Sequence, residues 1–195
     1  MAVKEEIREL TLRQREGRAI NAVAELLRRE LSVPNIYLEP PHSLISADVL
    51  AVDRGGAGDL HAVEIKLSDD IDLFECQRWE SSNPKEPDQL KWIAEFGEKL
   101  NGIHQQLMSM PAHYRYLAIP VKSFGMVYHE LGHFGVFPED GIGRLGFILI
   151  TDGQEEPPTA ELAVIPERFR VDPVKLKIIE TKLLAKSRPD IEVRI

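Results

Sequence analysis

Two acids and a lysine lie close together in parts of the sequence that are otherwise apolar. Asp48 belongs to the run Ala47–Val52, and Glu64 and Lys66 belong to the run His61–Lys66. Such runs are typical of buried strands, where an unpaired charge is costly because it loses its hydration. Paired carboxylates can hold a divalent cation, and a neighbouring ammonium group can act on water or offset a developing negative charge. The three residues are therefore a candidate metal site.

A β-hairpin would bring these three side chains together. The two runs are joined by a glycine-rich segment, Arg54–Asp59, which is a strong turn signal. A turn centred on Gly56 places Asp48 opposite Glu64, with Cβ atoms about 4.5–5.5 Å apart. Glu64 and Lys66 are two residues apart on one strand, so both point to the same face. Two alternatives remain open: a bulge that sends Asp48 to the other face, and a simple ion pair of Lys66 with either acid.

The elements around the hairpin predict an α/β fold. A helix from about Glu5 to Leu31 carries Ile20, Val23 and Leu27 at spacings of three and four residues. The other predicted elements are strands at Asn35–Leu38, Tyr114–Pro120, Leu145–Ile150 and Glu161–Ile165, and helices at Gln89–Met108, Lys122–Leu131 and Pro173–Lys186. This order indicates a mixed central β-sheet flanked by helices. We expect a single domain, 1–195, with a core at about 10–150 and a C-terminal strand and helix appended to it at 151–195.

The segment from Ala47 to Lys66 resembles the PD-(D/E)XK nuclease superfamily, which includes many restriction endonucleases and Holliday-junction resolvases. In that family a helix precedes the hairpin, and a helix and a strand follow it, which is the order predicted here. The resemblance implies a restriction endonuclease-like αβββαβ core. The family's proline before the first acid is replaced by Ala47. Its following helix sometimes carries a functional glutamine, for which Gln105 and Gln106 are the candidates, with solvent-facing amides as the alternative.

The resemblance also implies a function: Mg²⁺-dependent hydrolysis of DNA phosphodiester bonds, with Mn²⁺ able to substitute. Asp48, Glu64 and the backbone carbonyl of Ile65 are the implied metal ligands. Glu16, which continues the sheet-facing stripe of the first helix, would act through a metal-bound water. Lys66 would orient or deprotonate the attacking water, or offset charge in the transition state. The sequence does not choose among these roles for the lysine.

A second motif competes with this interpretation. His129-Glu130-Leu131-Gly132-His133 matches H-E-x-x-H, in which two histidines on one helical turn bind zinc and the glutamate acts as a base. The motif needs a helix and a third ligand, and the glycine-containing segment Phe134–Gly143 ends any helix directly after it. A zinc metalloprotease is therefore an alternative function. A catalytically inactive nuclease fold that serves as a binding or scaffold protein is another.

Composition and charge limit the classes of protein to which the chain can belong. The chain has 195 residues, of which 43% are hydrophobic and 29% charged, as in ordinary globular proteins. The net charge of −8 argues against a protein that coats nucleic acid through bulk electrostatics. Two basic clusters are nevertheless present, with solvated helix faces as the alternative: Arg13, Arg15, Arg18, Arg28 and Arg29 in the first helix, and Lys175, Lys177, Lys182, Lys186 and Arg188 near the end. No apolar run is long enough to span a membrane, and the lone Cys76 cannot form an internal disulfide. We expect a cytoplasmic protein that acts on DNA away from membranes, and the resemblance implies a homodimer.

Overall fold

The computed structural model describes residues 2–40, 45–53, 58–67, 86–133, 144–151 and 158–186. Its elements are α1 (Ala2–Glu30), β1 (Asn35–Leu38), β2 (Val49–Val52), β3 (Leu60–Ile65), α2 (Glu86–Ser109), β4 (Tyr114–Pro120), a 3₁₀ turn (Val121–Ser123), α3 (Phe124–His133), β5 (Gly146–Ile150), β6 (Ala160–Val164) and α4 (Pro173–Lys186). Gly56 and Cys76 lie outside the described residues. None of the described helices is long and apolar enough to cross a membrane.

The strands form one mixed six-stranded sheet in the order β1-β2-β3-β4-β5-β6, which confirms the predicted fold class. The first three strands make an antiparallel meander, β4 is parallel to β3 and β5, and β6 is antiparallel to β5. Parallel neighbours cannot be joined by a tight turn, so long connections are required between them. In the chain, α2 lies between β3 and β4, and α3 lies between β4 and β5.

The regular pairing of β2 with β3 has the register predicted from the sequence between Val49 and Val52, and it does not extend to Asp48 and Glu64. Val49 lies opposite Val63 and Leu50 lies opposite Ala62, the register that a turn centred on Gly56 requires. Regular pairing ends at Val49, so Asp48, the preceding residue in the chain, lies just outside it. There the Asp48 N–H donates to the carbonyl of Val63 at 3.0 Å. Asp48 therefore stands where the ladder between the two strands ends.

The sheet separates two hydrophobic cores. The α1-side core contains Ile20, Val23 and Leu27, packed against alternate residues of the strands such as Val63. The stripe predicted for the first helix is thus buried against the sheet, since Val23 and Leu27 are 0% exposed. The opposite core is formed by the other faces of the strands with α2, α3 and α4. Its members include Leu50, Ala62, Leu100, Leu117, Leu131 and Ile179.

The C-terminal strand and helix share the sheet and the opposite core with the rest of the fold. β6 extends the sheet beyond β5, and Ile179 and Leu183 on α4 are only 2% and 3% exposed. The intervening segment is attached to the start of β3, where Arg168 donates two hydrogen bonds to the carboxylate of Asp59 at 2.7 and 3.0 Å. These bonds lower the pKa of Asp59. The C-terminal strand, the helix and the segment between them thus contact β5, the opposite core and the start of β3, respectively.

Candidate metal site

Asp48 is fixed at the end of the hairpin by hydrogen bonds on three sides. Its N–H binds the Val63 carbonyl, and its own carbonyl accepts a bond from the N–H of Glu39 at 2.8 Å. Its carboxylate oxygen Oδ2 accepts a bond from the N–H of Ile65 at 2.6 Å. A side-chain oxygen thus takes the place of the backbone acceptor that a continuing ladder would supply. The position of the Asp48 carboxylate follows from the end of regular pairing.

The surroundings of Asp48 disfavour its ionised form. Burial is the largest influence and, together with the charges of Glu64 and Glu16, raises the pKa of Asp48 from 3.8 to about 6. The hydrogen bond from Ile65 and the charge of Lys66 act in the opposite direction without cancelling this rise. A carboxylate in this situation gains strongly from a nearby cation, because the cation offsets both burial and repulsion. A cation beside Asp48 would lower this pKa, so the surroundings are compatible with a cation site.

Glu64 and Lys66 form a short ion pair beside Asp48. Lys66 Nζ lies 2.7 Å from Glu64 Oε1, and the Lys66 side chain is 24% exposed whereas Glu64 is only 5% exposed as a residue. Alternation along β3 places both on the face that Ala62 occupies in the opposite core. The N–H of Lys66 donates to the carbonyl of Ala118 at 2.9 Å, so the neighbouring strand β4 also fixes its backbone. The ion pair that the sequence left open as an alternative is therefore present.

The other two predicted site residues make different contributions. The backbone carbonyl of Ile65 is the predicted ligand atom. The contact with the site that the structure shows is made by the Ile65 N–H, which donates to the Asp48 carboxylate. Glu16 is exposed on α1, which packs on the sheet face opposite to the face of Glu64. Its charge is the smallest of the influences on the pKa of Asp48. The structure thus brings Asp48, Glu64, Ile65 and Lys66 together, and Glu16 is linked to them by this weak electrostatic influence.

One of the two candidate glutamines lies next to this site. Gln106 Nε2 donates to Oγ of Ser46 at 3.1 Å, which ties α2 to the residue two positions before Asp48. Gln105 is exposed, and its side chain lies 3.5 Å from that of Asn101 on the same helix. The role of Ser46 had no signal in the sequence, because its partner is 60 residues away. Gln106 supports the chain as it enters the hairpin.

The donor atoms suit a hard divalent cation. Carboxylate oxygens from Asp48 and Glu64 are the ligands that Mg²⁺ and Mn²⁺ prefer, and Mg²⁺ is often held by only one or two carboxylates, with water and substrate phosphate completing its coordination. Within the ranges that the structure describes, no three His, Cys, Asp or Glu side chains are grouped closely enough to hold a metal alone. The donor set therefore fits a magnesium ion shared with water and substrate.

The H-E-x-x-H motif lies on α3, so the helix that it requires is present. His129 is exposed and Leu131 is fully buried. The side chains of Glu130 and His133, and the segment Phe134–Gly143, lie outside the described residues. Among the described side chains, which include only one histidine of the motif, no group of three His, Cys, Asp or Glu could hold a metal ion. The structure therefore provides the helix of the motif but no set of zinc ligands within the described residues.

Comparisons with known proteins provide no name for this fold. No protein-family model matches the chain, and no curated protein matches it. Among solved structures, a protein of unknown function from Silicibacter pomeroyi is similar, with a TM-score of 0.45 and 15% sequence identity. The similarity covers 88% of this chain and 83% of that chain.

Proposed function

We propose that the protein is a metal-dependent nuclease that hydrolyses phosphodiester bonds in DNA. One observation carries the proposal: two partly or fully buried carboxylates, Asp48 and Glu64, lie at the end of a hairpin with Lys66 beside them. The register of β2 with β3 is the one that a turn centred on Gly56 requires, and α1, the hairpin, α2 and β4 follow in the order that the resemblance implies.

Each residue of the site has a chemical task in this proposal. Asp48 and Glu64 would hold Mg²⁺, which when bound acts as a Lewis acid and lowers the pKa of a water molecule. The Lys66 ammonium has three N–H donors and can orient that water or neutralise charge on the phosphate. The Ile65 N–H keeps the Asp48 carboxylate turned toward β3. Glu16 would position water from the α1 side, at a distance from the ligands themselves.

The proposed substrate follows from the local charge around the site. Nucleic acid binding depends on contacts between basic side chains and phosphates, and the net charge of −8 means that these contacts must be concentrated on one surface. Arg13 and Arg18 are exposed on α1, within one helical turn of Glu16. Glu16 makes a small contribution to the raised pKa of Asp48, which supports a position of this part of α1 near the candidate site. A phosphate backbone could therefore lie along α1 and across the end of the hairpin.

A non-catalytic nuclease fold is the second candidate, and one observation favours it. The ion pair at 2.7 Å compensates the buried charge of Glu64 without any metal, so both residues can be explained as structural. In this case the raised pKa of Asp48 would be an unrelieved cost of burial. The two candidates differ in whether Asp48 and Glu64 bind a cation.

Cleavage assays on single- and double-stranded DNA with Mg²⁺ or Mn²⁺ test the proposal. We expect wild-type protein to cleave at least one substrate, and Asp48→Asn and Lys66→Ala to reduce the rate at least about 10²-fold. Glu161→Gln, which changes an exposed carboxylate on β6, is the matched control and should cleave like wild type. Cleavage by Asp48→Asn at the wild-type rate would exclude this site. Wild-type protein that neither cleaves DNA nor binds metal would favour the non-catalytic candidate.

A further inference from the structure

The ion pair with Lys66 involves the carboxylate of Glu64, which the proposed function assigns to the metal. Lys66 Nζ is 2.7 Å from Oε1 of Glu64, and the Glu64 side chain is only 6% exposed. The charge of Lys66 also lowers the pKa of Asp48, so the ammonium interacts electrostatically with both carboxylates. Positive charge at the candidate site is thus available from the chain itself.

We propose that Lys66 replaces the metal ion in the metal-free protein and that cation binding releases it from Glu64 toward the substrate. The inference rests on the proposed function and adds a regulatory step to it. A buried carboxylate needs a compensating charge, which Lys66 provides until a divalent cation arrives. An ammonium and a divalent cation on the same carboxylate repel each other, so one displaces the other.

The geometry permits this exchange without moving the backbone. The backbone of Lys66 is held by its bond to Ala118, whereas its side chain is 24% exposed and has a long flexible stem. Rotation of that stem can carry the ammonium from Glu64 to solvent or to a phosphate bound at the end of the hairpin. The lysine would therefore become available for chemistry only when the cation is in place. Binding of the metal ion and release of the Lys66 ammonium from Glu64 would then occur together.

Metal titration in the absence of DNA tests the exchange. The proteins are wild type, Lys66→Met, which keeps the apolar stem without the charge, and Lys66→Arg, which keeps a charge. Lys175→Met, which replaces an exposed lysine on α4, is the control for loss of a lysine elsewhere. We expect calorimetry to show Mg²⁺ binding about tenfold tighter in Lys66→Met than in wild type. Lys66→Arg should bind no more tightly than wild type, and the control should be unchanged.

Thermal unfolding provides a second measurement on the same proteins. Without metal, Lys66→Met should melt at a lower temperature than wild type, and saturating Mg²⁺ should raise its melting temperature more than that of wild type. If Lys66→Met fails to fold, the side-chain amine resonance of Lys66 in wild-type protein still tests the exchange, because it should shift as Mg²⁺ is added.

The outcomes separate this inference from the proposed function. Wild-type protein that binds Mg²⁺ and cleaves DNA, with equal or weaker Mg²⁺ binding by Lys66→Met, would overturn the exchange alone. A Lys66 amine resonance that stays unchanged at saturating Mg²⁺ would do the same. Absence of Mg²⁺ binding by both wild type and Lys66→Met would overturn the exchange and the metal site together.

Discussion

At the scale of single residues, Asp48 combines a structural and an electrostatic role. Its carboxylate accepts the Ile65 N–H, as a backbone carbonyl would in a continuing ladder. The same carboxylate lies in a place where burial and neighbouring acids raise its pKa to about 6. A neutral amide at position 48 could accept the Ile65 N–H without burying a charge. The charge of Asp48 therefore opposes folding unless a cation compensates it.

Replacement of Asp48 by Asn should stabilise the metal-free protein at pH 8. The carboxyl group binds its proton up to about pH 6 in the folded state but only up to about 3.8 in the unfolded chain. Between these values the folded state holds more protons, so its stability falls as pH rises, and the loss is complete above about pH 6. Asn keeps the acceptor for Ile65 and avoids this loss. We expect a gain on the order of 1–2 kcal/mol at pH 8, allowing for partial solvent exposure of Asp48.

Urea unfolding of both proteins in a metal chelator at pH 4 and pH 8 measures this difference. The gain should vanish near pH 4, where the carboxyl group is largely protonated in the folded protein. Glu161→Gln, on the exposed edge of β6, should show no such dependence on pH. A less stable Asp48→Asn protein at pH 8 would mean that the ionised carboxylate is stabilising, and it would contradict the raised pKa.

The sequence predicts part of the site, and the limit has a physical cause. Glu64 and Lys66 share a face because strand residues two apart lie on the same side of the sheet. Their ion pair can therefore be predicted from the local sequence alone. The bond between Asp48 and Ile65 could not be predicted, because it depends on where regular pairing stops. The exposure of Glu16 could not be predicted from the helical stripe, because it depends on how α1 packs against the sheet.

At the scale of elements, α1 serves both the core and the candidate DNA surface. Its middle part buries Val23 and Leu27 against the sheet, whereas Arg13 is exposed one helical turn before Glu16. Arg28 is also exposed, but it lies at the other end of the helix, about 22 Å from Arg13 along the axis. The helix thus offers two similar arginines at very different distances from the site.

Arg13→Ala should weaken DNA binding more than Arg28→Ala does. If Arg13 contacts a phosphate near the site, its loss should reduce affinity for all DNA sequences about equally and lower the salt-dependence slope by about 1. Arg28→Ala should leave that slope unchanged. Fluorescence anisotropy at several salt concentrations, with Ca²⁺ in place of Mg²⁺ to prevent cleavage, measures both variants. Equal effects of the two substitutions would place the DNA elsewhere on the surface.

Most elements were predictable from local patterns, but contacts between distant elements were not. α4 begins at Pro173 and ends at Lys186 as expected, since proline suits the first turn of a helix. β2 begins at Val49, two residues later than predicted, because Asp48 leaves the ladder. The bond between Asp59 and Arg168 joins residues 109 positions apart. No local pattern carries information about a contact of that kind.

At the scale of the whole molecule, the C-terminal strand and helix contribute to the same core as the hairpin. Ile179 on α4 belongs to the cluster that also contains Leu50 and Ala62 of the hairpin. Its neighbour Ile178 is 48% exposed, whereas Ile179 is 2% exposed. The two residues are of the same type on the same helix and differ only in what they bury.

Ile179→Ala should destabilise the entire fold, and Ile178→Ala should not. We expect a loss of about 2–5 kcal/mol for Ile179→Ala from lost burial and the cavity that remains. For Ile178→Ala we expect a change within about 0.5 kcal/mol. Urea unfolding followed by tryptophan fluorescence and by circular dichroism should give one shared, shifted transition for Ile179→Ala. Two separate transitions would indicate that α4 unfolds independently of the sheet.

The parallel pairing of β3 with β4 has a consequence for the order of folding. Asp48 and Ile65 are 17 residues apart, whereas the bond between Leu60 and His113 closes a separation of 53 residues. Longer loops lose more chain entropy on closure, so local pairings form with less initial cost. The antiparallel meander can therefore assemble before β4 arrives, with Asp48 and Glu64 already adjacent. Water screens the repulsion between these acids while the meander is still exposed, so the electrostatic cost of keeping them side by side increases as β4 and the helices bury the site.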